Sequence, residues 1–171
     1  MKARSKASVT FKSRSPADTL RLAAALAPLL KGGEVISLKG MIGAGKTFFV
    51  KGLALALGSK TSPVSASFNL MRTYKAGLKI YHFDLFRVSR DEMANIGLED
   101  YLGAEDGVTA IEWARSAEYL YGRGDFLELD FELAGGDSRD IGASARGAAA
   151  VRTLEALEKK WLLKSMKKPA R

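Results

Sequence analysis

The hydrophobic positions of this chain change period along its length. Phe126 to Leu133 mixes apolar residues with Glu128, Asp130 and Glu132 at alternate sites, which predicts a half-exposed strand. Ala134-Gly135-Gly136-Asp137 supplies a turn, and Arg139 to Ala145 is expected to return beside that strand. Ala148 to Met166 carries Val151, Leu154, Leu157, Trp161 and Leu162 on one side, the pattern of a final amphipathic helix. At the other end, Ser8 to Phe11 suits a short strand. Ser15-Pro16-Ala17-Asp18 then opens a helix, with Ser15 as cap, Pro16 in the first helical position and Asp18 in the first turn. Leu20, Leu22, Ala23 and Leu26 continue it towards Leu30, and Pro28 should end or kink it.

Between these ends strands and helices alternate. Glu34 to Lys39 is a short β-rich apolar segment, and Phe48 to Leu57 is long enough for a buried helix closed by Gly58. Ser59 to Ser67 reads as a loop. Phe68 to Tyr74 and Leu78 to Phe86 read as two strands joined through Lys75-Ala76-Gly77. Arg90 to Glu99 is expected to be a helix with an irregular end at Gly97. Gly107 to Glu112 is a short apolar strand ending in a carboxylate, and Ser116 to Tyr121 is a further helical stretch. The order of elements is that of an α/β protein.

The connection between the segment at 34–39 and the helix at 48–57 is Gly40-Met41-Ile42-Gly43-Ala44-Gly45-Lys46-Thr47, which fits G-x-x-x-x-G-K-[ST]. Glycines let the backbone curl so that successive N–H groups face phosphate oxygens. The helix start adds the positive end of its dipole. Lys46 would reach the outer phosphates and the Thr47 hydroxyl would ligate Mg²⁺. A bland glycine turn with a surface lysine would not need strand, loop and helix in this order.

Composition narrows the setting. The chain has 171 residues, is 47% hydrophobic and contains no cysteine, which suits one domain and excludes disulfides and thiol chemistry. No apolar run is long enough to cross a membrane and no secretory signal opens the chain, so a cytoplasmic location is expected. The net charge of +8 suits a polyanionic partner such as nucleotide, RNA or a complex holding RNA. Much of the excess sits at the ends, in Lys2, Arg4, Lys6, Lys12 and Arg14 and in Lys159, Lys160, Lys164, Lys167, Lys168 and Arg171, where it equally suits solvated tails. The expected layout is a flexible stretch over 1–7, the main domain over 8–146, and a C-terminal helix with a basic tail over 147–171.

Hydrolysis needs more than a phosphate loop: a metal-organising carboxylate and a means of positioning water. Asp84, within Tyr81-His82-Phe83-Asp84-Leu85-Phe86-Arg87, and Glu112, at a strand end where open α/β sheets place ligands, are the candidates. For each the alternative is a satisfied strand-end carboxylate. His82, the sole histidine, reads as a packed or hydrogen-bonded strand residue. Arg87 could pair with Asp84 or contact phosphate.

Together these segments resemble one family. The phosphate loop, Phe68-Asn69-Leu70-Met71-Arg72-Thr73-Tyr74, Tyr81 to Arg87, Ile96-Gly97-Leu98-Glu99-Asp100-Tyr101 and Ile111-Glu112-Trp113 are similar in order and spacing to TsaE (YjeE) proteins, over roughly residues 10–146. The resemblance implies a P-loop fold with a mixed central sheet flanked by helices, ATP and Mg²⁺ as cofactors, and association with TsaD and TsaB in making threonylcarbamoyladenosine next to the tRNA anticodon, with tRNA met through the complex. It also implies residue roles. Gly40 and Ile42, Gly43, Ala44, Gly45, Lys46 and Thr47 would bind the nucleotide, Thr47 and Glu112 the metal, and Asp84 would be the hydrolysis-critical acid. Trp113 would lie near the nucleotide, and Pro16 and Arg139 would be outer contacts. The chain departs from the family pattern at Met41, Phe48 and Phe86, and its switch segment reads Ser65-Ala66-Ser67-Phe68 without the usual proline.

Other classes on the same loop are a small-molecule kinase, a GTPase and a nucleotide-dependent interaction module with little hydrolysis. The kinase would need an acceptor pocket and an arginine-bearing lid. The GTPase would need Asn-Lys-x-Asp, which is absent.

Overall fold

The computed structural model describes residues 6–60, 70–89, 91–122 and 124–166. Residues 1–5 of the expected flexible start, most of the loop expected over Ser59 to Ser67, the switch segment at 65–68 and the end of the basic tail lie outside the described residues.

Seven strands form one mixed sheet in the order β1-β7-β6-β2-β5-β4-β3: β1 (Lys6–Ser13), β2 (Val35–Gly40), β3 (Met71–Tyr74), β4 (Lys79–Asp84), β5 (Gly107–Glu112), β6 (Phe126–Leu133) and β7 (Arg139–Arg146). The middle is parallel, with β2 between β5 and β6 and β4 beside β5. Antiparallel pairs finish both sides, β6 with β7 and β7 with β1 on one, β3 with β4 on the other.

Alternation along the strands sorts side chains into two cores. Ile36, Leu38, Ile80, Val108, Ala110, Leu127 and Leu129 face the helices α1 (Pro16–Leu26), α2 (Lys46–Ala56) and α4 (Ala148–Met166). Val35, Tyr81, Phe83, Ile111 and Phe126 face the other way, onto Met93, Leu98 and Tyr121. The last of these lies in the short helix α3 (Glu118–Tyr121). α4 joins the first core through Leu154, Leu157 and Trp161, whose ring meets Phe11 edge-on at 5.8 Å. Among the described residues, no helix is long and apolar enough to cross a membrane.

The predicted α1 start forms as expected. Ser15 accepts from the Asp18 amide and Pro16 follows it, while Pro28 falls in a 3-10 turn (Ala27–Leu29) that ends the helix. β1 is longer than Ser8 to Phe11, because its register with β7 runs unbroken from Lys6 to Ser13. The helix expected over Arg90 to Glu99 does not form. Two 3-10 turns, Met93–Asn95 and Leu98–Tyr101, stand there instead, separated by Gly97 at φ +67°. Each turn buries one apolar anchor, Met93 or Leu98, which a single rigid helix would have to place on one stripe.

Candidate active site

β2 ends in Gly40, and the chain curls through 41–45 into α2. Gly40 has φ +126°, and a Cβ there would stand 2.5 Å from the Phe131 carbonyl oxygen, so the turn off the strand requires glycine. Gly45, at φ +112°, takes the N-cap place of α2, and no side chain caps that helix. The first amides of α2 are therefore open to an anion, reinforced by the helix dipole. Lys46 Nζ donates to the Gly40 and Met41 carbonyls at 2.8 and 2.9 Å, which arches its stem over the loop. Burial pushes its ammonium below the ordinary lysine value, against the opposing pull of Glu112 and Asp84. A bound polyanion would relieve that cost.

The two acids arrive from adjacent parallel strands. Asp84 is the register partner of Glu112, and both are buried on the α2 side of the sheet. Thr47 Oγ1 donates to Glu112 Oε1 at 2.7 Å, so the first turn of α2 is tied to the end of β5. Asp84 Oδ1 accepts from the Phe86 amide at 3.2 Å, which fixes the turn leaving β4. Trp113 follows Glu112 in the left-handed region, φ 58° and ψ 36°, the one non-glycine residue with positive φ among the described residues. Its amide donates to the Leu38 carbonyl. Its ring lies 4.3 Å from Lys46 Nζ and packs at 4.9 Å against Phe86.

These groups enclose a cleft of ≈ 470 Å³, walled by Ile42, Gly43, Gly45, Lys46, Thr47, Phe48, Asp84, Phe86, Arg87, Glu112 and Trp113. The structure thus brings together the phosphate loop, both acids and the tryptophan that the sequence singled out. Gly40 and Ala44 lie behind the wall rather than in it. Arg139, on β7, donates from Nε to the Ala44 carbonyl at 3.3 Å and so fastens the back of the loop. Pro16 opens α1 and does not line the cleft. Sequence reasoning left Arg87 undecided and treated Phe48 and Phe86 only as departures from the family pattern, not as groups lining the site. All three line the cleft: Phe48 follows Thr47 in the first turn of α2, whereas Phe86 and Arg87 are carried there by the turn that leaves β4 beside β5. His82 is indeed a hydrogen-bonded strand residue, and its partner is Glu112, at 2.9 Å.

The donor set fits Mg²⁺. Among the described residues there is no cluster of three or more His, Cys, Asp or Glu that could hold a metal by itself. A cation here would draw on the Thr47 hydroxyl, one or two carboxylates, phosphate oxygens and water, which is how Mg²⁺ is usually held. While Thr47 gives its proton to Glu112, its lone pairs stay available to a cation.

Strand, glycine loop and helix, with acids from neighbouring strand ends converging on the loop, define a P-loop α/β protein. The family model described as "Threonylcarbamoyl adenosine biosynthesis protein TsaE" matches residues 13–141. The chain belongs to the TsaE family. It is 35% identical over 138 residues to the tRNA threonylcarbamoyladenosine biosynthesis protein TsaE of Bacillus subtilis, covering 80% of this chain and 85% of that one. To the protein of the same name from Treponema pallidum it is 41% identical over 102 residues, covering 59% of this chain and 75% of the relative. The crystal structure of Bacillus subtilis YdiB superposes with a TM-score of 0.76 at 29% identity, covering 92% of this chain and 98% of that one.

Proposed function

We propose that this chain binds ATP with Mg²⁺ and hydrolyses it, and that hydrolysis supports threonylcarbamoyladenosine formation on tRNA in company with TsaD and TsaB. The observation that carries the reading is the convergence of Thr47, Glu112 and Asp84 on the phosphate loop, with Thr47 and Glu112 joined at 2.7 Å. The names borne by its relatives carry the link to tRNA modification.

In this reading the loop amides and Lys46 hold the phosphates, and Thr47 and Glu112 hold the cation. Bound Mg²⁺ would neutralise charge on the phosphate oxygens. Asp84 orients water or the metal's water shell. Trp113 and Phe86 wall the cleft and restrict its hydration. Ile42, Phe86 and Arg87 in its wall are exposed, so the chain does not close the cleft by itself. Turnover by the chain alone is accordingly slow, and partners complete the site.

The test is tRNA threonylcarbamoylation by purified TsaD and TsaB under multiple-turnover conditions, with and without this chain, alongside ATP hydrolysis by the chain alone and in the mixture. The expected result is modification that depends on the chain and hydrolysis that rises with the partners. Equal modification without it overturns the proposal.

A further inference from the structure

His82 is fully buried, on the same face of β4 as Asp84, and it lines no part of the cleft. Its Nε2 lies 2.9 Å from Glu112 Oε1, the same oxygen that accepts from Thr47. A carboxylate oxygen can only accept, so Nε2 carries the hydrogen and donates. Its Nδ1 is buried with no hydrogen-bond partner among the described residues. A buried ring nitrogen without a partner is costly, and the imidazole is held in place nonetheless. The Tyr74 ring stands 6.0 Å away, tilted by 33°. An apolar side chain would fill this site more cheaply, so the hydrogen bond to Glu112 is the interaction that the histidine supplies.

We propose that His82 is the positioning residue for Glu112. It and Thr47 grip one carboxylate oxygen from opposite partners, one strand-borne and one helix-borne, and leave the other oxygen, Oε2, to serve the cation. The proposal rests on the Mg-ATP reading above and assigns that reading a third, buried member. Outer-shell partners of this kind fix ligand orientation, and their loss costs about ten- to a hundredfold in metal affinity.

Two measurements on the full chain test it. The first is structural and independent of nucleotide. The chain has one histidine, so its ¹⁵N-labelled imidazole gives a single, unambiguous set of resonances. The expected spectrum shows a hydrogen-bonded Nε2–H that shifts in Glu112→Ala; identical spectra in the two proteins overturn the pairing. The second is the Mg²⁺ concentration at half-maximal binding of a fluorescent ATP analogue. His82→Leu should raise that midpoint about tenfold or more while leaving binding in EDTA unchanged. His82→Gln, which can donate from a similar place, should recover most of the loss. A parental midpoint in His82→Leu, or no recovery in His82→Gln, overturns the role. If the parental chain binds the analogue without regard to Mg²⁺, the magnesium reading fails, and the role given to His82 falls with it even where the imidazole spectrum shows the pair.

Discussion

Thr47 and Glu112 are 65 positions apart in the chain and share a 2.7 Å hydrogen bond. The bond ties the first turn of α2 to the last residue of β5, so the two groups act on the cleft as a unit. Residues that act as a unit lose function non-additively. Thr47→Val and Glu112→Gln should each weaken Mg²⁺-dependent ATP binding. The double variant should be little worse than the poorer single one, with a coupling of about 1 kcal/mol or more. A double-mutant cycle on the Mg²⁺ midpoint reads this directly; strict additivity would show the bond to be incidental.

Lys46 donates to two loop carbonyls and sits under Trp113, with its charge partly desolvated. Lys46→Ala removes the cation proposed to meet the phosphates and leaves the Gly40 and Met41 carbonyls without their donor. Charged hydrogen bonds are worth roughly 1.5–3 kcal/mol, so ATP affinity should fall by about ten- to a hundredfold. Equilibrium binding of a fluorescent analogue measures this, and an unchanged dissociation constant would refute the assignment.

Asp84 is buried at the strand end, but the hydrogen bond to Thr47 is made by Glu112 on the neighbouring strand. Removing Asp84 should therefore separate binding from turnover. Asp84→Ala should keep ATP affinity within about threefold while hydrolysis falls by roughly a hundredfold or more, the scale expected when a positioned proton acceptor is lost. Asp84 also accepts from the Phe86 amide, so Asp84→Asn, which keeps an acceptor oxygen there, controls for a loosened turn. Parental hydrolysis in Asp84→Asn would remove the acid from the mechanism.

The phosphate loop was legible in the sequence because its geometry is local. Gly40 and Gly45 are fixed by the turn itself, and strand and helix flank it within a few residues. The approach of Asp84 to Glu112 was legible only as two candidates. Their pairing follows from the parallel register of β4 and β5, which no short-range pattern encodes. The partner of His82 was hidden for the same reason. The helix expected over Arg90 to Glu99 failed because a run of polar residues with a glycine leaves too few apolar anchors to choose a period, and two separate burial sites for Met93 and Leu98 decided the matter.

Trp113 lies in a backbone region that costs a non-glycine residue roughly 1–2 kcal/mol. Glycine takes that conformation without penalty, although in regular structure it is the less stable choice. Trp113→Gly should thus be more stable than Trp113→Ala by about 1 kcal/mol in urea denaturation. Both variants lose the ring over Lys46 and the contact with Phe86, so both should weaken ATP binding alike. The opposite order of stability would mean that the backbone relaxes once the indole is gone.

Tyr121 joins the sheet to its second core, with its hydroxyl 3.2 Å from both Ser37 Oγ and the Ala114 carbonyl. Burial pushes its phenol up to about 12, with smaller upward contributions from Glu118 and Glu128 against a downward one from Ser37. The unfolded chain releases this proton near the ordinary tyrosine value of about 10. Below that value both states keep the proton and the stabilisation is fully present. As pH rises from about 10 towards 12 the unfolded state binds fewer protons than the folded one, so unfolding becomes easier, by up to about 2–3 kcal/mol over the interval. Chemical denaturation from about pH 8 to about pH 11 should show this alkaline slope. Tyr121→Phe should flatten it while lowering stability at neutral pH by about 1 kcal/mol through the lost hydrogen bond. A Tyr121→Phe chain with the parental slope would place the alkaline sensitivity in another group.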